Sequence, residues 1–301
     1  MLYKVRTESV ELLILKFLNT RMSLAEKEKQ HYYNLKKGYE GETLFDSMTE
    51  KLECDCLIIN DLLLKHHNSF FQIDTLIILP ETVYFFEVKN YEGDYYYESE
   101  RLYLKHRIEV NNPLNQLNRS ESLLRQLLQN LKIHISIHAL VVFINPEFTL
   151  YQTPLNIPFI FPTQINRLLK ALNATTSKLN RKHKLLAEQL ISLHIHHTPF
   201  KLLPSYDFDQ LQKGISCSKC SSLSTFVEGR KCVCRDCGHK DLVATAVMRS
   251  VREFKLLFPD KKITTNVIHK WCKVVESRKR IKRILEKNFQ TVGVRQCAFY
   301  E

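Results

Sequence analysis

The chain has 301 residues, 44% of them hydrophobic and 25% charged, and carries a formal net charge of +12. That composition excludes low-complexity and disordered classes and leaves room for a proper core, in two domains or in one domain with appendages. No stretch approaches the roughly 18 uninterrupted apolar residues of a membrane helix, and no period of 20–50 residues marks a repeat protein.

Residues 1–34 read as an N-terminal helix. The opening MLYKVRTESVELLILKFL is apolar but interrupted by Glu11 and Lys16, and it lacks a small-residue cleavage site. Nine cysteines, an odd number partly in metal-type spacing, fit a reducing compartment. The expectation is a cytoplasmic protein without a membrane partner.

Gly38-Tyr39-Glu40-Gly41-Glu42 opens an apparent amphipathic helix of about residues 40–52, with Leu44, Phe45, Met48 and Leu52 as its apolar positions. Gln72 to Lys89 then reads as two strands joined by a turn at Pro80-Glu81. With the turn centred there, Asp74 pairs with Glu87 and Gln72 with Lys89. Period-two alternation puts all four on one face, and one residue of slip would scatter them. Two carboxylates and an amine at this spacing suit phosphodiester hydrolysis. The carboxylates supply hard oxygen ligands for Mg²⁺ or Mn²⁺, and the ammonium can orient water or stabilise developing charge. The competing reading is a solvated Glu87–Lys89 ion pair. Apolar flanks on both sides favour the site, because charges inside such runs need a partner or a metal.

Asp94 to Arg107, rich in tyrosine and charge, reads as an added hairpin. Asn112-Pro113-Leu114-Asn115-Gln116 starts a second helix, its apolar face formed by Leu117, Leu123, Leu124, Leu127, Leu128 and Leu131. Ile157 to Phe161 reads as a short strand, residues 163–173 and 178–196 as helices, and Pro199 to Pro204 as a linker. His194, His196 and His197 close the second of these helices, where the helix dipole accounts for them. His66-His67 and His134/His138 have no partners in sequence.

In chain order, Gly38-x-x-Gly41-Glu42, Gln72-Ile73-Asp74, Glu87-Val88-Lys89-Asn90 with Gly93 behind it, and Asn112-Pro113-x-x-Gln116 resemble the nuclease-related domain (NERD) family of the PD-(D/E)xK nucleases. The resemblance covers roughly residues 35–150. It implies an α/β, restriction-endonuclease-like fold, a mixed sheet flanked by helices, within a domain of residues 35–200. The core would be helix, three strands, helix and strand at about 40–52, 54–60, 70–79, 83–90, 114–131 and 138–145. It also implies a catalytic set of Glu42, Asp74, Glu87, Lys89 and Gln116. Asp74 and Glu87 would hold the Mg²⁺, Lys89 would assist the attacking water, and Glu42 and Gln116 would complete the site. Ile73 stands where the superfamily has proline. Without the resemblance, Glu42 and Gln116 read as solvated helix residues, Glu42 in a first turn.

Cys217-Ser-Lys-Cys220 and Cys234-Arg-Asp-Cys237-Gly238, thirteen residues apart, have the spacing of a four-cysteine zinc ribbon, placed at residues 201–240. Four filled positions leave none for water, so the expected Zn²⁺ is structural, supplying on the order of 10 kcal/mol to a segment too short for its own core. Disulfides are the alternative, and Cys232 and His239 are substitute ligands. Cys54, Cys56, Cys272 and Cys297 read as small buried hydrophobes.

Residues 241–301 hold eight Lys and six Arg against six acidic groups, a net +8. Three helices are expected at about 241–257, 264–274 and 277–288, followed by a terminal hairpin between Gln290 and Tyr300. This looks like a helix-turn-helix module, with Trp271 in its core. Arg278, Lys279, Arg280, Lys282 and Arg283 would lie outward as the nucleic-acid-binding face, although a solvated basic helix reads the same way. The functional expectation is a metal-dependent nuclease acting on DNA, with RNA left open. The alternative is a DNA-binding adaptor or regulator that keeps the nuclease fold. A protein partner or a second copy of the chain stays open.

Overall fold

The computed structural model describes residues 1–176, 178–196, 202–293 and 298–301. The chain divides into two compact units, Met1–Glu8 with Asn34–Phe200 and Ser9–Tyr33 with Lys201–Glu301. Strand β1 (Leu2–Lys4) therefore belongs to the first unit, helix α1 (Val10–Arg21) to the second, and the division falls within α2 (Glu26–Thr49).

The first unit is a mixed sheet flanked by helices. Runs rich in Ile, Leu, Val and Phe form β2 (Leu57–His66), β3 (Ser69–Ile78) and β4 (Thr82–Lys89), which pair antiparallel in sequence. After α3 (Pro113–Asn130) the chain returns as β8 (Ser136–Phe143), parallel to β4. With β1 and β10 (Phe159–Ile160) at its edges, the sheet has the order β1-β2-β3-β4-β8-β10. Helix, three strands, helix and strand is the order the resemblance implies. Phe45 of α2 and Ile165 and Leu172 of α4 (Pro162–Asn173) pack with Ile58, Ile77, Phe86 and Val142. Leu117, Leu124 and Leu128 of α3 and Leu186 and Leu190 of α5 (Arg181–Ser192) pack in a second cluster with Leu57, Leu76, Phe85 and Val141. Burial on both faces is why these strands are almost continuously apolar.

The expected insertion is a hairpin, β5 (Gly93–Glu98) and β6 (Arg101–Leu104). With β7 (Glu109–Val110) and β9 (Phe148–Tyr151) it makes a second sheet of order β7-β6-β5-β9.

Three element boundaries differ from the sequence reading, one of them the helix expected at 178–196, which spans only Arg181–Ser192 and so ends before His194. The first strand runs over Leu57–His66 rather than 54–60. Helix α2 starts at Glu26 rather than near 40, so Gly38 and Gly41 sit inside it and Glu42 is not in a first turn. Its first half, EKEKQHYYNLKK, is mostly polar and shows no apolar stripe that periodicity could detect.

The second unit carries a three-stranded antiparallel ribbon, β11 (Thr225–Glu228), β12 (Lys231–Cys234) and β13 (Lys240–Leu242), running directly into α6 (Val243–Leu257). Helices α7 (Thr265–Cys272) and α8 (Arg278–Asn288) follow, capped by the Thr264 and Ser277 hydroxyls. One apolar cluster joins Ile14 and Leu18 of α1 to Cys232, Phe254, Trp271, Ile281 and Leu285, so ribbon and helices share a core. Within it the buried Arg21 guanidinium forks onto Glu253 at 2.6 and 3.0 Å, donates to the Gln212 and Gly214 carbonyls, and stacks 3.9 Å from the Trp271 ring centre. The terminal strands β14 (Thr291–Val292) and β15 (Phe299–Tyr300) pair antiparallel.

Residues 199–201 of the expected linker, together with His197 and Cys297, lie outside the described residues. From Phe208 onward the chain is already packed into the second core. Among the described residues, no helix is long and apolar enough to cross a membrane.

Candidate active site

Strands β3 and β4 pair Ile78 with Val83 through Thr75 with Phe86, and the next step of that register sets Asp74 opposite Glu87. The ladder stops there. Instead of a backbone bond, the Val88 N–H donates to Asp74 Oδ2 at 2.8 Å. Asp74 is 5% exposed and Glu87 1%. Lys89, two residues on from Glu87, donates from Nζ to Glu87 Oε1 at 2.7 Å and to Gln116 Oε1 at 3.2 Å. Gln116 lies in the first turn of α3, whose entry is fixed by Pro113 and the Asn112 side-chain cap. Glu87 Oε2 is buried and has no hydrogen-bond partner among the described residues.

Gln72 does not join this group. It is exposed and donates to Asp61 Oδ1 at 3.2 Å. The β3–β4 ladder ends at Thr75–Phe86, so no strand pairing holds Gln72 against Lys89. On the other side of β3 the β2 pairing keeps one register through Asn60–Thr75 and Leu62–Ile73, which sets Asp61 (φ +56°) opposite Asp74 and within reach of the Gln72 amide.

Glu42 reaches the site from the middle of α2 through a residue the sequence reading missed. Arg6 is 7% exposed and donates to Glu42 Oε2 at 2.5 Å, to Asp46 Oδ2 and Oδ1 at 2.8 and 3.0 Å, and to the Asp74 carbonyl at 2.7 Å. Thus one guanidinium ties the segment after β1 to α2 and β3. Asp46 lies one helical turn beyond Glu42, a spacing that shares a face and was readable. Arg6 had no local signal.

Gly41 is required by close approach. A Cβ there would lie 2.5 Å from Asn90 Cβ and 3.1 Å from Ile144 Cγ2. The Asn90 amide donates to the Lys37 carbonyl at 2.8 Å, which seats α2 against the end of β4. Helix and strand thereby hold Glu42 and Lys89 in place.

Burial, reinforced by the Asp74 carboxylate, pushes both Glu42 and Glu87 up to about 8. Burial also raises Asp74, against the pull of Lys89, the Val88 N–H and Arg6. For Lys89, burial works downward, but Glu87 and Asp74 outweigh it and hold the ammonium at about 12. Three acids are crowded out of water here beside the Lys89 ammonium and the Arg6 guanidinium, and burial with mutual repulsion favours their protonated forms. A cation relieves that crowding, and the unbonded Glu87 Oε2 is an oxygen ready for one.

A cavity of about 300 Å³ opens beside Lys89, lined by Tyr91, Asn111, Asn112, Asn115 and Gln116. A second, of about 670 Å³, shares its three asparagines and extends to Ser99 and Arg101 on the added hairpin and to Glu109 on β7. Together they make a polar groove leading from the lysine.

In the second unit, Cys217, Cys220, Cys234 and Cys237 bring four sulfurs within 4.8 Å of one another. The Cys217–Cys237 and Cys220–Cys234 separations are each 3.6 Å. Four thiolates about 2.3 Å from a tetrahedral zinc would stand roughly 3.8 Å apart, so the donor set and its dimensions fit. A disulfide needs about 2.05 Å, and these cysteines are free. Gly238 has φ +68°, easing the turn past Cys237. Cys232 is buried in the core, and His239 pairs with Asp241 at 3.2 Å. Cys56 and Cys272 are buried, as small hydrophobes should be.

On α8, Arg278, Lys279, Lys282 and Arg283 are exposed, whereas Ile281 and Leu285 are fully buried. Arg280 is half-buried, and its Nη1 donates to the Gly229 carbonyl in the ribbon turn at 2.8 Å. It braces the ribbon rather than standing free. His194, past the end of α5, accepts from the Leu63 N–H at 3.1 Å.

An α/β sheet end that gathers buried carboxylates with a lysine, beside a polar groove, is the architecture of a nuclease-like domain. Comparison with known families agrees: residues 37–144 match the family described as nuclease-related domain, NERD. No curated protein and no solved structure matches the chain.

Proposed function

We propose that this protein is a divalent-metal-dependent nuclease that hydrolyses phosphodiester bonds in DNA, with a zinc-stabilised ribbon and the basic α8 holding the nucleic acid. The observation that carries the reading is the meeting of Asp74, Glu87 and Lys89 at one strand end, with Glu87 Oε2 buried and unbonded. Asp74 and Glu87 would hold Mg²⁺ or Mn²⁺, hard cations that bind through one or two carboxylates plus water and substrate phosphate. When bound, such an ion supplies Lewis acidity toward a phosphoryl oxygen and toward water.

The chain's own residues supply the rest. Lys89, held protonated by Glu87 and Asp74, cannot serve as a base near neutral pH. It acts by charge, stabilising the developing negative phosphoryl oxygens and orienting the attacking water. Gln116 and Glu87 fix its ammonium from two sides. Glu42, anchored by Arg6, completes the acidic pocket and aligns Asp74 through the shared guanidinium. Strand entry runs along the asparagine-lined groove. Cys217, Cys220, Cys234 and Cys237 would hold a structural Zn²⁺, and free thiols of this kind suit a reducing, cytoplasmic setting.

The test is cleavage of plasmid, linear duplex and single-stranded DNA with Mg²⁺, with Mn²⁺ and without added metal. Cutting that needs the ion and disappears in both Asp74→Ala and Lys89→Ala supports the reading. Binding without cutting under any condition replaces it with a non-cleaving DNA adaptor.

A further inference from the structure

The second unit contains a cleft that neither the nuclease site nor the basic face of α8 uses. Its volume is about 420 Å³, within the range of small-ligand sites, and it is lined by Thr225, Phe226, Val227, Val274, Val275, Glu276, Ser277 and Arg280. Phe226, Val227 and Val274 are only partly buried, so an apolar floor faces solvent. The Arg235 guanidinium lies 4.9 Å from the Phe226 ring centre, and Arg280 is tied to the Gly229 carbonyl at 2.8 Å. Both sides of the cleft are thereby fixed, one by the ribbon and one by the first turn of α8.

We propose that this cleft receives an unpaired nucleobase of a single-stranded nucleic acid, stacked on Phe226, while the flanking phosphates lie along α8. The inference deepens the nucleic-acid-binding reading of α8 and rests on it. Charge complementarity chooses the occupant. Arg278, Lys279, Lys282 and Arg283 are exposed just outside the cleft, where they can meet a polyanionic backbone. At the cleft itself the exposed Glu276 offsets the charge of Arg280, which is already tied to the Gly229 carbonyl, and its carboxylate can accept a hydrogen bond from the amino group of a base. A flat ring with amino edges and a charged backbone satisfies both regions. In a duplex, that ring is stacked and paired, so only an unpaired one can enter.

The test uses the full zinc-loaded chain without added Mg²⁺ or Mn²⁺, so that binding is read apart from cleavage. A fluorescently labelled 12-nucleotide single strand, its duplex and an abasic strand of the same length are titrated by anisotropy. The wild type should bind the single strand about tenfold tighter than the abasic strand. Phe226→Ala and Phe226→Leu, the second keeping apolar bulk without the ring, should each lose that advantage while duplex binding changes less than twofold. A thermal melt reports whether either variant is folded, and the abasic comparison needs no variant. Equal binding of base-bearing and abasic strands overturns the cleft alone. Failure to bind any strand overturns it together with the α8 reading, whereas cleavage by the first unit is scored separately.

Discussion

The carboxylate site and the four-cysteine group are built on opposite plans. Four sulfurs from two turns of a ribbon lie within 4.8 Å of one another and can fill a tetrahedral shell by themselves. The carboxylates come from paired strands, and half of their oxygens are already engaged, Asp74 Oδ2 by Val88 and Glu87 Oε1 by Lys89. A shell closed by protein stabilises a fold, and one left open admits water and substrate. The difference also appears in what surrounds each group. The sulfurs occupy a ribbon continuous with the core, whereas the acids are held out of water at the cost of raised proton affinity.

Each side of this contrast can be broken. The largest effect is expected from Cys234→Ser combined with dialysis against a zinc chelator: loss of bound metal and of hydrogen-exchange protection over the ribbon. Retained protection without metal would end the structural role. Next, Asp74→Asn preserves an acceptor for Val88 but removes a charge. Cleavage should drop about 1,000-fold, as expected for several kcal/mol of lost charge stabilisation, with the melting temperature unchanged or higher. Arg6→Lys keeps the charge but not the planar fork. Cleavage should fall about 10–100-fold, and an unchanged rate would show that Glu42 needs no anchor. Gly41→Ala forces a Cβ into Asn90 and should destabilise the first unit by about 1–3 kcal/mol in denaturant titration.

The smallest effect concerns pH. Glu42 and Glu87 sit at about 8 when folded, above the ordinary 4.5. Their contribution to stability is therefore fully present below about 4.5 and is lost as pH rises through about 8. Mg²⁺ should offset that loss, so its stabilising shift in melting temperature should be larger at pH 8.5 than at pH 6. Equal shifts would count against these carboxylates as its ligands.

Much of this was readable in the sequence because it depends on local spacing. A turn at Pro80-Glu81 sets the register of β3 and β4, and paired CxxC turns bring four sulfurs together. Polar residues whose roles depend on distant segments were not readable. Arg6 acts through residues 36 to 69 positions away. Gln72 lies beyond the end of the β3–β4 ladder and bonds the Asp61 carboxylate, and Arg280 is claimed by a carbonyl in the ribbon. The early start of α2 was hidden because solvent-facing helix carries no apolar period.

The first unit takes its edge strand and its buried arginine from eight residues that the chain then abandons until Asn34. Neither half of the molecule is a cassette that could be excised or exchanged at one junction. A fragment cut to begin at residue 35 would keep Asp74, Glu87 and Lys89 yet lose the clamp behind them, and could be mistaken for an inactive enzyme.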